Sequence, residues 1–94
     1  MLTTAEEQSK SIVSGVYRAE CLVSSLVARG ADVVSVSVRG GMPVVRINRN
    51  SFTAHLIDNG KASYVYLGCG ARGKYKQGVY MQDGCKVVWS ESIH

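Results

Sequence analysis

Apolar residues near the start of the chain recur at the spacing of an α-helix. They follow one another at intervals of four and three: Ile12, Val16, Ala19, Val23 and Leu26. This spacing places them on one face of a helix with 3.6 residues per turn. Thr4 and Glu7 have the spacing of a capping box, and Gly30 supplies the residue that commonly ends a helix. The pattern predicts an amphipathic helix over residues 5–29.

Beyond Gly30 the apolar residues alternate with polar ones, which is typical of half-buried strands. The alternation predicts strands over residues 32–38, 43–49, 52–57, 62–67, 77–81 and 86–89. The pair Asn59-Gly60 lies between two of these runs and favours a tight hairpin turn. We therefore predict a single α+β domain over residues 1–94. Its one long N-terminal amphipathic helix would pack on a five- to six-stranded antiparallel meander sheet of three successive hairpins.

The composition agrees with a globular protein. The chain has 94 residues, of which 46% are hydrophobic and 19% charged. Its apolar runs fall short of the roughly 18 residues that a membrane-spanning helix needs. The first apolar cluster is interrupted by polar residues, unlike a signal peptide. From these features we expect a cytoplasmic protein with no membrane partner.

Cysteine and histidine are too few for a convincing metal site. Cys21, Cys69 and Cys85 form no CxxC pair, and only His55 and His94 could join them. A structural zinc ion needs four ligands at restricted spacing. We therefore expect reduced thiols, no bound metal and no cofactor.

One glycine-rich segment resembles a phosphate-binding loop in its letters. Residues 68–74 read Gly-Cys-Gly-Ala-Arg-Gly-Lys and satisfy both G-x-G-x-x-G and G-x-x-x-x-G-K. Such loops require a following helix, whereas residues 75–80 favour a strand, and Tyr75 stands where a P-loop has Ser or Thr. A connection between strands is the simpler interpretation. A backbone nest that touches phosphate without catalysis stays open, with Gly70, Arg72, Gly73 and Lys74 as its residues.

Catalytic arrangements are otherwise scarce. His55 is the only histidine away from the chain end, and the strand register places it on the solvated side of the sheet. No serine occupies a G-x-S-x-G elbow. We expect that the chain is not an enzyme.

Charge and aromatic residues point instead to a binding surface. Residues 39–76 contain seven basic residues and one acidic residue, Asp58. Period-2 alternation gathers basic and aromatic side chains on the face opposite the predicted core, and these are the predicted partner-binding residues: Arg46, Tyr64, Tyr66, Lys76 and Tyr80. Tyrosine and arginine are enriched in protein interfaces, and the same mixture can bind phosphates and stack on unpaired bases.

Three interpretations of this face remain open. It could bind a protein partner or seal a homodimer, it could bind single-stranded RNA or DNA, or it could be a solvated face without function. In style the chain is similar to small accessory proteins of bacteria and phages, a likeness that rests on no particular residue. We favour a small non-enzymatic binding or regulatory module that acts through a protein partner or a homo-oligomer, with single-stranded nucleic acid as the alternative.

Overall fold

The computed structural model describes residues 4–39, 42–71 and 73–93, and the side chains of these ranges except those of 4–12, 39 and 66. The described residues form two helices and five strands in this order: α1 (Thr4–Ala28), β1 (Val33–Arg39), β2 (Met42–Ile47), α2 (Ser51–Asp58), β3 (Ser63–Gly70), β4 (Gly73–Gln82) and β5 (Cys85–Ser92). The predicted N-terminal helix and the α+β class are confirmed. The predicted capping box at Thr4 and Glu7 lies outside the described side chains.

The five strands form one mixed sheet in the order β1-β2-β5-β4-β3. Strands β1 and β2, β3 and β4, and β4 and β5 pair antiparallel, whereas β2 and β5 run parallel. The prediction of a purely antiparallel meander is therefore wrong. The last strand enters the middle of the sheet, beside β2, and α2 is part of the crossover that carries the chain from β2 to β3. Parallel neighbours require such a crossover.

Residues 52–57, predicted as a strand, belong instead to α2. The side chain of Asn50 accepts hydrogen bonds from the amides of Phe52 and Thr53, and the Thr53 hydroxyl accepts one from the Asn50 amide. This capping box satisfies amides that have no partner inside the helix. Phe52 and Leu56, four residues apart, are buried on one face of α2.

The pair Asn59-Gly60 consequently ends a helix instead of forming a hairpin. Asn59 donates its amide to the carbonyl of His55, and Gly60 has a φ of 71°. A left-handed glycine after the last turn is a common helix ending. The hairpin predicted at residues 82–85 is confirmed, since Asp83 and Gly84 have φ angles of 52° and 74° between β4 and β5. Two successive positive φ angles are the requirement of a type I′ turn.

The core lies between the two helices and the strands β1, β2 and β5. Its largest fully buried side chains come from both helices and the two central strands: Leu22, Leu26, Leu56, Val45, Val87 and Trp89. The buried stripe of α1 is rotated from the predicted one. Ala19 and Leu22 are buried, while Val16 remains 53% exposed beside β1.

Trp89 occupies the middle strand and depends on a glycine in the neighbouring strand. Gly78 on β4 lies directly opposite Trp89 on β5. A Cβ atom at position 78 would stand 2.8 Å from Nε1 of the indole and closer still to two of its ring carbons. Real Cβ atoms do not approach so closely, so the indole can lie flat on β4 only because residue 78 has no side chain.

The substitution Gly78→Ala is expected to lower the free energy of unfolding by about 2 kcal/mol, because overpacking forces the indole or the strand to move. Gly70→Ala is a matched control, since a Cβ there would meet only Tyr75 at 3.7 Å. The control is expected to change stability by less than about 0.5 kcal/mol. Urea denaturation of the three proteins measures the difference. Equal stability of the two variants would contradict the indole contact.

Candidate binding face

The helices cover only part of the sheet surface on their side. Helix α1 packs against β1 and β2 and touches β5 to a smaller extent. On β3, at the far edge, Leu67 is 72% exposed. The register places Leu67, Lys76 and Glu91 side by side across β3, β4 and β5. The uncovered region, named here the open sheet face, consists of Tyr64, Leu67, Lys76 and Glu91, with Arg49 at its border.

Glu91 organises the open sheet face. Its Oε2 atom accepts hydrogen bonds from the Tyr64 hydroxyl and from Nε1 of Trp89, the latter at 3.1 Å. Its Oε1 atom forms an ion pair with Nε of Arg49 at 2.9 Å. The three donors come from β3, β5 and the segment between β2 and α2. One carboxylate therefore links three parts of the chain.

The environment of Glu91 keeps it ionised. Burial pulls the pKa of Glu91 upward, but hydrogen bonds from Tyr64 and Trp89 and the charges of Lys76 and Arg49 outweigh burial and hold it below its ordinary value. The hydrogen bond to Glu91, assisted by burial and by the negative charge of the carboxylate, raises the pKa of Tyr64 to about 12. Tyr64 thus stays a neutral donor to a charged acceptor, which is a strong type of hydrogen bond.

Lys76 completes the arrangement around Tyr64. Its Nζ atom lies 4.0 Å from the centroid of the Tyr64 ring, within the range of a cation–π contact. The ring remains 38% exposed. Tyr64 is therefore held at its hydroxyl and over one ring face while still reaching solvent.

The predicted partner-binding residues do not share one face. Tyr64, Lys76 and Tyr80 point to the side of the sheet that carries the helices, as their pairing with Gly78, Glu91 and Val87 shows. Tyr80 is half-buried against the core and donates to Gln82. Arg46 is exposed on the opposite side, between Ser35 and Val88. Tyr66 pairs with Gln77, and its side chain lies outside the described set. Arg46 thus lies on the side away from the helices, as predicted. The prediction is wrong for Tyr64, Lys76 and Tyr80, which lie on the core side of the sheet.

Two irregularities explain the error. The register shifts between Tyr64 and Tyr66 on β3, so strict alternation fails there. On β4 the assumed inward residue was Val79, but Gly78 faces the core because the indole of Trp89 requires it. A strict alternation of inward and outward residues therefore predicts the wrong side for residues on β3 and β4.

The glycine-rich segment connects two strands, as the simpler interpretation holds. Gly70 and Gly73 end β3 and begin β4, and no helix follows. Arg72 lies outside the described residues. A pocket of about 360 Å³ lies beside the turn and is lined by Gly70, Ala71, Gly73, Lys74, Tyr75, Ser90 and Ser92. That this segment binds an anion stays a prediction.

Three residues of the site escaped the sequence reasoning: Arg49, Trp89 and Glu91. The predicted last strand stops at residue 89, whereas β5 continues to Ser92. Trp89 and Glu91 are two residues apart on that strand and therefore share a face. Glu91 is the only acidic residue after Trp89, and this was the signal in the sequence that could have identified it. Arg49 gave no such signal, because it contacts Glu91 only through the path that the chain takes from β2 into α2.

The described part of the chain shows neither a membrane-spanning helix nor a metal site. Neither described helix is long and apolar enough to cross a membrane. Within the same residues no three His, Cys, Asp or Glu side chains are grouped to hold a metal ion. The cysteines are free, with Cys85 buried and Cys21 and Cys69 exposed.

The chain matches no known family model, no curated protein and no solved structure.

The substitution Glu91→Gln is expected to destabilise the protein more at neutral than at acidic pH. Because the pKa of Glu91 is lower in the folded than in the unfolded chain, the carboxylate stabilises the fold fully above its ordinary pKa of 4.5. That stabilisation is lost as the pH falls through the folded value. Urea denaturation of both proteins from neutral pH to about pH 3 measures the gap. A gap that does not change with pH would contradict the assigned role of the carboxylate.

Proposed function

We propose that the chain is a small non-enzymatic binding or regulatory module that engages a protein partner through the open sheet face. The proposal rests on one observation: the helices leave the open sheet face uncovered. Leu67 is 72% exposed on the same side of the sheet as Tyr64, a tyrosine that is already held in place. Contiguous exposed apolar side chains with a polar rim are typical of protein interaction sites.

The details of the face suit a protein ligand. Tyr64 is fixed by Glu91 and Lys76, so it loses little conformational freedom when a partner packs on it. Rigid tyrosines of this kind often contribute strongly to affinity. Arg49 is 66% exposed in its side chain and adds a cation at the border of the face. The complementary partner is a protein segment that carries apolar and acidic side chains.

The polar groups of the face support binding better than catalysis. Glu91 receives three donors and its pKa is lowered, so it is a poor proton acceptor at neutral pH. His55 is exposed on α2, where its ring lies 2.9 Å from the Asn59 amide. A cytoplasmic location belongs to the same proposal and is supported by the free thiols.

Single-stranded nucleic acid is the second candidate, favoured by the cation beside the aromatic ring. Lys76 and Arg49 could meet phosphates, and Tyr64 could stack on a base. It ranks second because Lys76 already occupies one face of the ring and the neighbouring Leu67 is apolar. Binding of this type would weaken steeply as salt is added.

A photo-crosslinking amino acid placed at Leu67 tests the proposal in cells that produce the protein. Met81 is the matched control site, because it is 52% exposed but lies on the other side of the sheet. We expect a discrete protease-sensitive adduct from position 67 and none from position 81, since only the first position lies in the open sheet face.

Equal labelling from both positions, or no adduct from position 67, would contradict the proposal. A nuclease-sensitive adduct from position 67 would overturn the protein partner in favour of nucleic acid. The mass of a protease-sensitive adduct distinguishes a second copy of the chain from a different protein.

A further inference from the structure

Strand β1 forms an edge of the sheet, and its residues before Arg39 lack the side chains that usually protect one. On one side it pairs with β2, and on the other no strand of the described part of the chain pairs with it. Residues 33–38 read Val-Val-Ser-Val-Ser-Val, with no charge, proline or glycine. Edge strands normally carry such residues because free backbone amides and carbonyls invite pairing with another chain. The only irregularity is the register shift between Val33 and Ser35.

An apolar groove runs beside this edge, between α1 and β1. It has a volume of about 410 Å³ and is lined mainly by Val16, Ala19, Val23, Val36 and Val38, with Glu20 at its rim. Val16 and Val36 are 53% and 43% exposed. Val13 and Tyr17 continue the exposed apolar surface one turn earlier on α1, at 69% and 67%. Edge and groove therefore form one continuous surface.

We infer that this surface joins two copies of the chain in a symmetric dimer, with β1 of each copy paired antiparallel to β1 of the other. The inference goes beyond the proposed function, because it uses a surface distinct from the open sheet face. Antiparallel pairing of identical strands is compatible with the two-fold axis of an isologous dimer. It would satisfy the free edge of both copies at once.

The sequence of β1 suits a second copy in particular. Residues 34–38 read Val-Ser-Val-Ser-Val, the same in both directions about Val36. A two-fold axis at Val36 would set Val36 opposite the partner's Val36 and Ser35 opposite the partner's Ser37. Like residues then meet over residues 34–38, with valine opposite valine and serine opposite serine, while Val33 stands opposite Arg39 of the other copy.

Charge and area also favour a second copy at β1. The chain carries a net charge of +4, so two copies repel wherever basic residues meet. Residues 33–38 carry no charge, whereas the open sheet face presents Lys76 and Arg49. The exposed parts of Val13, Val16, Tyr17 and Val36 would add apolar contact area to the strand pairing, and a stable dimer buries roughly 800 Å² per partner.

Paired charge substitutions at Ser35 and Ser37 test the dimer and its register together. Both residues are exposed, so the fold should tolerate them. In the proposed register, Ser35→Lys with Ser37→Lys brings cations opposite cations at the axis. Ser35→Lys with Ser37→Glu brings each cation opposite an anion of the partner instead. Like charges directly opposite are destabilising, and opposite charges are favourable.

Light scattering over a range of protein concentrations reads out the molar mass, and circular dichroism verifies that each variant folds. We expect the wild-type protein and the Lys/Glu variant at twice the 10.1 kDa of one chain, and the Lys/Lys variant at 10.1 kDa. A wild-type chain that stays at 10.1 kDa would overturn the inference. So would identical behaviour of the two double variants.

Failure of the dimer and failure of the proposed function are separable. Leu67→Asp changes only the open sheet face, so the dimer should persist while co-purification of the protein captured through position 67 is lost. Dissociation by Leu67→Asp would show that the copies meet through the open sheet face, contrary to this inference.

Discussion

The indole of Trp89 is the feature on which the rest of the arrangement depends. It lies fully buried on the central strand β5, against Gly78 of β4. On one side it belongs to the core beneath the two helices, and its Nε1 atom donates to Glu91 on the other. The covered and uncovered parts of the sheet are thus joined through one side chain. Because the indole needs a residue without a Cβ opposite it, Gly78 also determines which residues of β4 face the helices.

The position of Trp89 marks the boundary between the part of the sheet that the helices cover and the part that they leave open. Helix α1 covers β1, β2 and a small part of β5, and α2 adds Phe52 and Leu56 to the same core. The charged cluster around Glu91 begins where this cover ends. A buried carboxylate is tolerated there because Tyr64, Trp89 and Arg49 compensate its desolvation. The result is a chain with two unlike surfaces. One is a largely uncharged strand edge with an apolar groove, and the other is an open face on which the exposed Leu67 lies beside the charged Lys76 and Glu91. If β1 pairs with its copy, the two open sheet faces would point to the same side of a continuous sheet. Nine strand spacings would separate their outer edges by roughly 40 Å, which allows bivalent binding.

Local patterns were sufficient for the elements whose signals are local. The 3.6-residue period located α1 within one residue at each end, and Asp83-Gly84 produced the expected hairpin. Helix α2 was predicted as a strand because residues 52–57 alternate between apolar and polar side chains, as short strands do. The Asn50 cap is the local feature that distinguishes the helix. The hairpin turn predicted at Asn59-Gly60 was wrong because the same dipeptide is common in hairpin turns and at helix ends.

The candidate site was harder to predict because it depends on non-local pairing. Tyr64 and Lys76 were identified from composition, but their side of the sheet depends on the register shift near Val65 and on Gly78. Arg49 meets Glu91 only because β5 lies beside β2, a parallel pairing that no short-range pattern encodes. Predicting the mixed sheet would have required recognising first that residues 51–58 are helical, since that helix makes the crossover between parallel strands possible.

The central claim is that part of the helix side of this sheet is open to a partner. Solvent paramagnetic relaxation, measured by NMR on methyl groups of the dilute protein with a soluble paramagnetic probe, tests it most directly. The structure predicts strong relaxation of the Leu67 and Val65 methyl groups, and weak relaxation of those of Val87 and Leu56, which are fully buried. Leu67 methyl groups as well shielded as those of Val87 would contradict the claim, because the face would then already be covered.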